Sequence, residues 1–241
     1  MLHDLIGKKE KKWETIPYDE FQHRANRAKE LLAKHQMDAM LLFSPQNWWY
    51  YGGWTDVAQM HNWVWRSCMV ISQDHDPVFV GHGAFSWQTA LTTYIKDLRF
   101  WNETETGKLL GEVILGKRPD DDFWQLLRDT LEDLNLHNGV LGIEKGSEID
   151  TYLSFEEYDQ LADLLPSSKI VSADKMIWEQ RSIKTPYEIE TIRAGCKRAC
   201  RVLKKAFETI KPGVNELDVH RAFWKACADE DLLGTPNMST W

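Results

Sequence analysis

The chain has 241 residues, of which 43% are apolar and 27% charged, a balance that sets aside a largely disordered protein. Its net charge of −8 argues against a nucleic-acid partner, because phosphate contacts need a basic face, and serves chiefly solubility. No stretch of about 18 apolar residues occurs, so no transmembrane helix and no membrane partner are expected. The lysine-rich start, Met1 to Lys12, lacks the apolar centre of a secretory signal. Cys68, Cys196, Cys200 and Cys227 are too widely spaced, in too long a chain, for a disulfide framework. They read as reduced thiols, and the expected location is cytoplasmic.

From Tyr18 to His35 the spacing predicts a helix with Phe21, Ala25, Ala28, Leu31 and Leu32 on one face. The short apolar run Ala39 to Phe43, stopped by Ser44-Pro45, predicts a buried strand. Cys68 to Ser72 and Pro77 to Val80 predict a hairpin, the polar Gln73 to Asp76 forming its loop. Ala84 to Ile95 reads as a helix and Leu98 to Trp101 as a strand. Asp120 to Asp122 puts negative charge before a helix reaching about Leu136. Val140 to Ile143 is a strand, Phe155 to Leu164 a helix and Lys169 to Val171 a strand. Alternation of this kind predicts an α/β domain, helices flanking a mixed sheet.

After Arg181 the pattern changes. Thr185 caps a helix with Pro186 at its first position and Glu188 completing a capping box. The apolar stripe runs Ile189, Ile192, Cys196, Ala199, Leu203, Ala206, Ile210 before Lys211-Pro212-Gly213 ends it. A second helix follows from Asn215 to about Asp229, expected to bury Leu217, Val219, Phe223 and Ala226. Two successive helices mark a domain boundary near residue 178, giving domains 1–178 and 179–241. The second is too short for a large core, so its stripe is expected to lack packing partners.

Twelve tryptophans are many for this length; five of them (Trp48, Trp49, Trp54, Trp63, Trp65) fall within eighteen residues, beside Tyr50 and Tyr51. Such rings either pack a core or dimer contact, or form a cage for a cationic group, and both readings stand at this point. His61, His82 and Asp56 lie nearby; acid–base work is one reading, polar loop residues the preferred one. Cys196 and Cys200 are one helical turn apart with His220 on the next helix, yet a zinc site needs a fourth ligand, and packing is preferred. The basic face from Arg193 to Lys205 reads as solvated surface. The sequence has no phosphate loop, G-x-S-x-G elbow or H-E-x-x-H helix.

Arg181-Ser182-Ile183-Lys184-Thr185-Pro186-Tyr187-Glu188-Ile189 with Ile192-Arg193 resembles the linker and first catalytic-domain helix of the creatinase, prolidase and aminopeptidase P family. Pro212 to Glu216 is similar to the turn before that family's second helix. Met37 to Leu42, Ser44 to Asn47 and Tyr50-Tyr51 resemble the first strand and loop of its amino-terminal domain, and Ile143-Glu144 through Val171 runs in the same order. Within the family, Asn237 to Trp241 and the Arg66 region look most like creatinase.

The resemblance implies an amino-terminal α/β domain on the first helices of a truncated pita-bread α+β domain, in a homodimer. It implies hydrolysis of a C–N bond in a small zwitterionic, creatine-like substrate. A proline-specific metallopeptidase (Xaa-Pro dipeptidase or aminopeptidase) is one alternative; a non-catalytic dimerisation or ligand-binding module is another. Most members hold two divalent ions (Mn, Co or Zn) on aspartates, a histidine and glutamates; creatinase uses a histidine and no metal. Those residues lie beyond Trp241 in the family, so no catalytic residue, metal ligand or cofactor is expected within this chain. Substrate contact in trans is expected from Arg66, with His61, Trp63 and Trp65 around it. For Arg66 the competing reading is an ordinary surface ion pair.

Overall fold

The computed structural model describes residues 16–54, 66–116, 118–146 and 152–232. The chain divides into two compact units, Met1–Ser182 and Ile183–Trp241. The boundary expected at 178 falls inside a helix, Asp174–Ser182, and so lies four residues later.

The first unit holds a six-stranded sheet: β1 (Ala39–Leu42), β2 (Cys68–Ser72), β3 (Val78–His82), β4 (Asp97–Trp101), β5 (Val140–Ile143) and β6 (Lys169–Ser172), in the order β4-β3-β2-β1-β5-β6. β2 runs antiparallel to both neighbours, and every other pairing is parallel. Its helices are α1 (Tyr18–Lys34), α2 (Pro45–Gly52), α3 (Ser86–Thr92), α4 (Glu105–Leu115), α5 (Phe123–Asp133), α6 (Phe155–Leu164) and α7 (Asp174–Ser182).

Strand periodicity makes both sheet faces apolar. Met40, Leu42, Met69, Ile71 and Phe79 enter one core with Leu31 and Leu32 of α1, Trp48 and Tyr51 of α2, and Met176 and Ile177 of α7. Their neighbours Ala39, Leu41, Cys68, Val70, Val78, Val80, Leu141 and Ile143 enter the opposite core with Phe123, Leu126, Leu127 and Leu131 of α5 and Leu161 of α6. The sheet is therefore sandwiched between two helical layers.

Three helices were not expected: α2, α4 and α7. In α2, Ser44 Oγ accepts the Asn47 N–H and Pro45 supplies a preset φ, but apolar residues surround the helix and no 3.6 period shows. The helix expected over 84–95 is shorter. A 3₁₀ turn, Gly83–Phe85, precedes α3, and Thr93 is extended at its end.

The αL residue Gly53 (φ 72°) ends α2, and a Cβ there would lie 2.8 Å from Phe21 Cζ. Gly53→Ala is expected to destabilise the unit by about 1–2 kcal/mol through both effects. Chemical denaturation will check this; an unchanged midpoint would mean the turn relaxes freely.

The second unit comprises α8 (Pro186–Phe207) and α9 (Glu216–Asp229). Val202, Ala206, Ala226 and Cys227 are its buried apolar residues among those described. Arg201 and Lys205 meet Glu230 at 2.7 and 3.1 Å. Apolar members of the expected stripe are exposed (Ile189 42%, Ile192 51%, Leu203 43%, Ile210 59%), as is Leu217 of α9 at 56%. Leu217, expected inside, is thus outside, because the α8–α9 contact buries only the Ala226–Cys227 side of α9.

Candidate functional site at the carboxyl edge of the sheet

Five strands point one way and β2 the other, so the ends of β1, β3, β4, β5 and β6 share one edge with the start of β2. Strand order reverses between β1 and β5, the position at which open α/β sheets usually bind ligands. Here that switch point is filled from within. Glu144 follows β5 directly and is fully buried. Its Oε2 accepts the Phe43 and Ser44 N–H groups at 2.6 and 3.1 Å. Its Oε1 accepts from Ser44 Oγ and Asn47 Nδ2.

Burial pushes the Glu144 carboxyl up to about 7, and the four donors pull the other way. Burial, with the Glu144 charge adding, likewise raises the Cys68 thiol. Behind this lies a second polar layer. Asn47 Oδ1 accepts from Arg181 at 3.1 Å, and the Arg181 guanidinium lies 5.4 Å from the centre of the Tyr50 ring. Arg24, 2% exposed, lies 4.2 Å over the same ring and donates to the Tyr50 carbonyl. Tyr51, its hydroxyl raised chiefly by burial, donates to Gln180. The network ties α1, α2, α7 and the β5 end together.

Trp48, Tyr50, Tyr51 and Trp54 of the aromatic run are core, while Trp49 is 41% exposed. Trp48 and Trp54 are 2% and 1% exposed and meet edge to face at 5.0 Å. The cations over Tyr50 come from this chain itself. Trp63, Trp65, His61 and Asp56 lie outside the described residues, as do residues 237–241.

Arg66 stands on the same edge. Extending the β2–β3 register by two residues places it opposite His82, whose own partner is Trp101. The Trp101 indole N–H donates to the Arg66 carbonyl at 2.9 Å. The Arg66 side chain donates to the Tyr152 carbonyl and pairs with Glu157, a residue the sequence reading passed over. Glu157 was visible there only as the third residue of a capping box.

His82 is 3% exposed and uses both ring nitrogens: Nδ1 accepts the Ala84 N–H, so Nε2 carries the proton and donates to Glu103 at 2.8 Å. Burial lowers its pKa, against the raising effect of Glu103. It is thus neutral and engaged at pH 7. Cys196 and Cys200 are exposed, and among the described residues no group of three His, Cys, Asp or Glu side chains is placed to hold a metal. No described helix is long and apolar enough to cross a membrane.

Residues 24–183 match the Creatinase/Prolidase N-terminal domain family. The chain belongs to this family. An uncharacterized hydrolase/peptidase of Sinorhizobium fredii is 28% identical over 86% of the chain and 49% of its own length. Ectoine hydrolase of Halomonas elongata is 24% identical over 83% and 47%. The crystal structure of prolidase from Thermococcus sibiricus superposes with a TM-score of 0.68 at 11% identity, covering 90% of this chain and 51% of that one. The chain therefore spans about half the length of the curated relatives it matches. The fold is that of the amino-terminal domain of the pita-bread prolidases, followed by two helices.

Proposed function

We propose that this chain is the front half of a hydrolase that cleaves a C–N bond in a small zwitterionic, creatine-like substrate, and that Arg66 supplies the substrate's carboxylate contact from across a homodimer. The observation that carries the reading is the placement of Arg66 at the carboxyl edge of the sheet, 23% exposed, directly after segment 55–65, which holds His61, Trp63 and Trp65. A guanidinium offers a planar fork of donors that fits a carboxylate bidentately. Membership of the family and the ectoine-hydrolase relative support hydrolysis. In this reading the exposed stripe of α8 and α9 is covered by the rest of the catalytic domain.

The described residues assemble no ligand set for the two metal ions that most of the family uses. A metal-bound nucleophile would need ligands from elsewhere in the polypeptide, and the part assigned to this chain is recognition. Purified 241-residue protein is accordingly expected to hydrolyse neither creatine nor a Xaa-Pro dipeptide, with or without Mn²⁺, Co²⁺ or Zn²⁺. Turnover above background in a preparation free of host enzymes would overturn this division of labour. In the complete polypeptide, turnover of creatine or a similar amidine supports the proposal. Cleavage of Xaa-Pro dipeptides alone would replace it with a proline-specific peptidase.

A further inference from the structure

Arg66 is held at both ends. Its carbonyl accepts from Trp101, its Nη1 donates to the Tyr152 carbonyl, and its Nε forms an ion pair with the Glu157 carboxylate without a hydrogen bond. Glu157 divides its oxygens between two tasks: Oε1 meets Arg66, while Oε2 accepts the Ser154 N–H at 2.8 Å in the α6 capping box. The first turn of α6 therefore sets the carboxylate's orientation. Tyr152 is fixed in a similar way, with φ at 57° and its hydroxyl accepting from Gln46 at 2.9 Å. Neither contact takes Nη2. A long, freely rotating guanidinium loses rotamer entropy when it meets a ligand; one already held by a hydrogen bond at Nη1 and an ion pair beside Nε loses less.

We infer that Glu157 is the positioning residue for Arg66, holding the guanidinium so that its Nη edge is presented to the carboxylate of a small substrate. The inference rests on the reading of Arg66 as the carboxylate contact. Glu157 touches no substrate and acts only through Arg66. A merely structural cap would contribute helix stability and nothing to ligand affinity.

The test is binding of creatine and of Ala-Pro to the complete polypeptide by calorimetry, with thermal unfolding in parallel. Glu157→Gln keeps an oxygen for the Ser154 N–H but removes the charge facing Arg66. It is expected to weaken binding of the better probe about five- to tenfold, with little change in Tm. Ser154→Ala, which loses a cap but keeps the Ser154 N–H, should lower Tm and leave Kd within about twofold. In an Arg66→Ala background, Glu157→Gln should change Kd by less than about twofold, since the pair acts as a unit. If Arg66→Ala weakens binding but Glu157→Gln does not, the positioning role alone is overturned. If Arg66→Ala leaves binding intact, or wild type binds neither probe, the Arg66 reading falls and the Glu157 role falls with it.

Discussion

Glu144→Ala is expected to destabilise the first unit by about 4 kcal/mol at pH 5, measured by chemical denaturation. The substitution strands four buried donors: the Phe43 and Ser44 N–H groups, Ser44 Oγ and Asn47 Nδ2. Each unpaired buried donor costs about 1–3 kcal/mol, and water entering the gap recovers part of the total. The penalty should depend on pH. The carboxyl, raised from 4.5 to about 7, holds its proton more tightly folded than unfolded. Its stabilising contribution is therefore complete below about pH 4.5 and is lost as pH rises through 7. A shift of this size corresponds to about 3 kcal/mol, so the difference between wild type and Glu144→Ala should shrink by up to that amount between pH 4.5 and 8. Taking the difference cancels the other carboxylates, which titrate in both proteins. A penalty that grows towards pH 8 would mean that the four donors outweigh burial and that Glu144 is ionised throughout.

Arg66→Ala in the complete polypeptide is expected to raise KM for a carboxylate-bearing substrate about thirtyfold, the loss of roughly 2 kcal/mol that a bidentate charge-assisted contact supplies. kcat should change much less, because the contact holds the substrate in ground and transition states alike. Thermal stability should stay within a few degrees. Arg66 and Glu157 are 23% and 16% exposed, and partly hydrated pairs of this kind contribute about 1 kcal/mol or less. Nor does the substitution remove the α6 cap, because Glu157 keeps the Ser154 N–H. Kinetics indistinguishable from wild type over a range of substrate concentrations would reduce Arg66 to surface charge. A large drop in Tm with unchanged KM would make it a structural strut.

Local chemistry alone made much of the fold legible. The apolar run Ala39 to Phe43, the β2–β3 hairpin and the capping box at Thr185 all rest on contacts a few residues apart, and each stands where its pattern predicted. Among the helices that escaped notice, α2 has Trp48, Tyr50 and Tyr51 all buried, so its apolar residues occupy most sides and yield no clean stripe.

What the sequence by itself determined about this protein is its family and its alternation of strands and helices. The alternation depends on spacing along one strand of polypeptide, and the family on the resemblance of short motifs such as Arg181 to Ile189. Tertiary structure decided that Glu144 plugs the switch point with donors from residues 43–47, about a hundred positions away, and that Arg66 is paired with Glu157. It also placed Trp48 and Trp54 in the core and left Trp49 exposed. A carboxylate's or a ring's partners come from strand register and from which layer a helix covers. Those are set by packing the whole sheet at once, so no local pattern could have announced them.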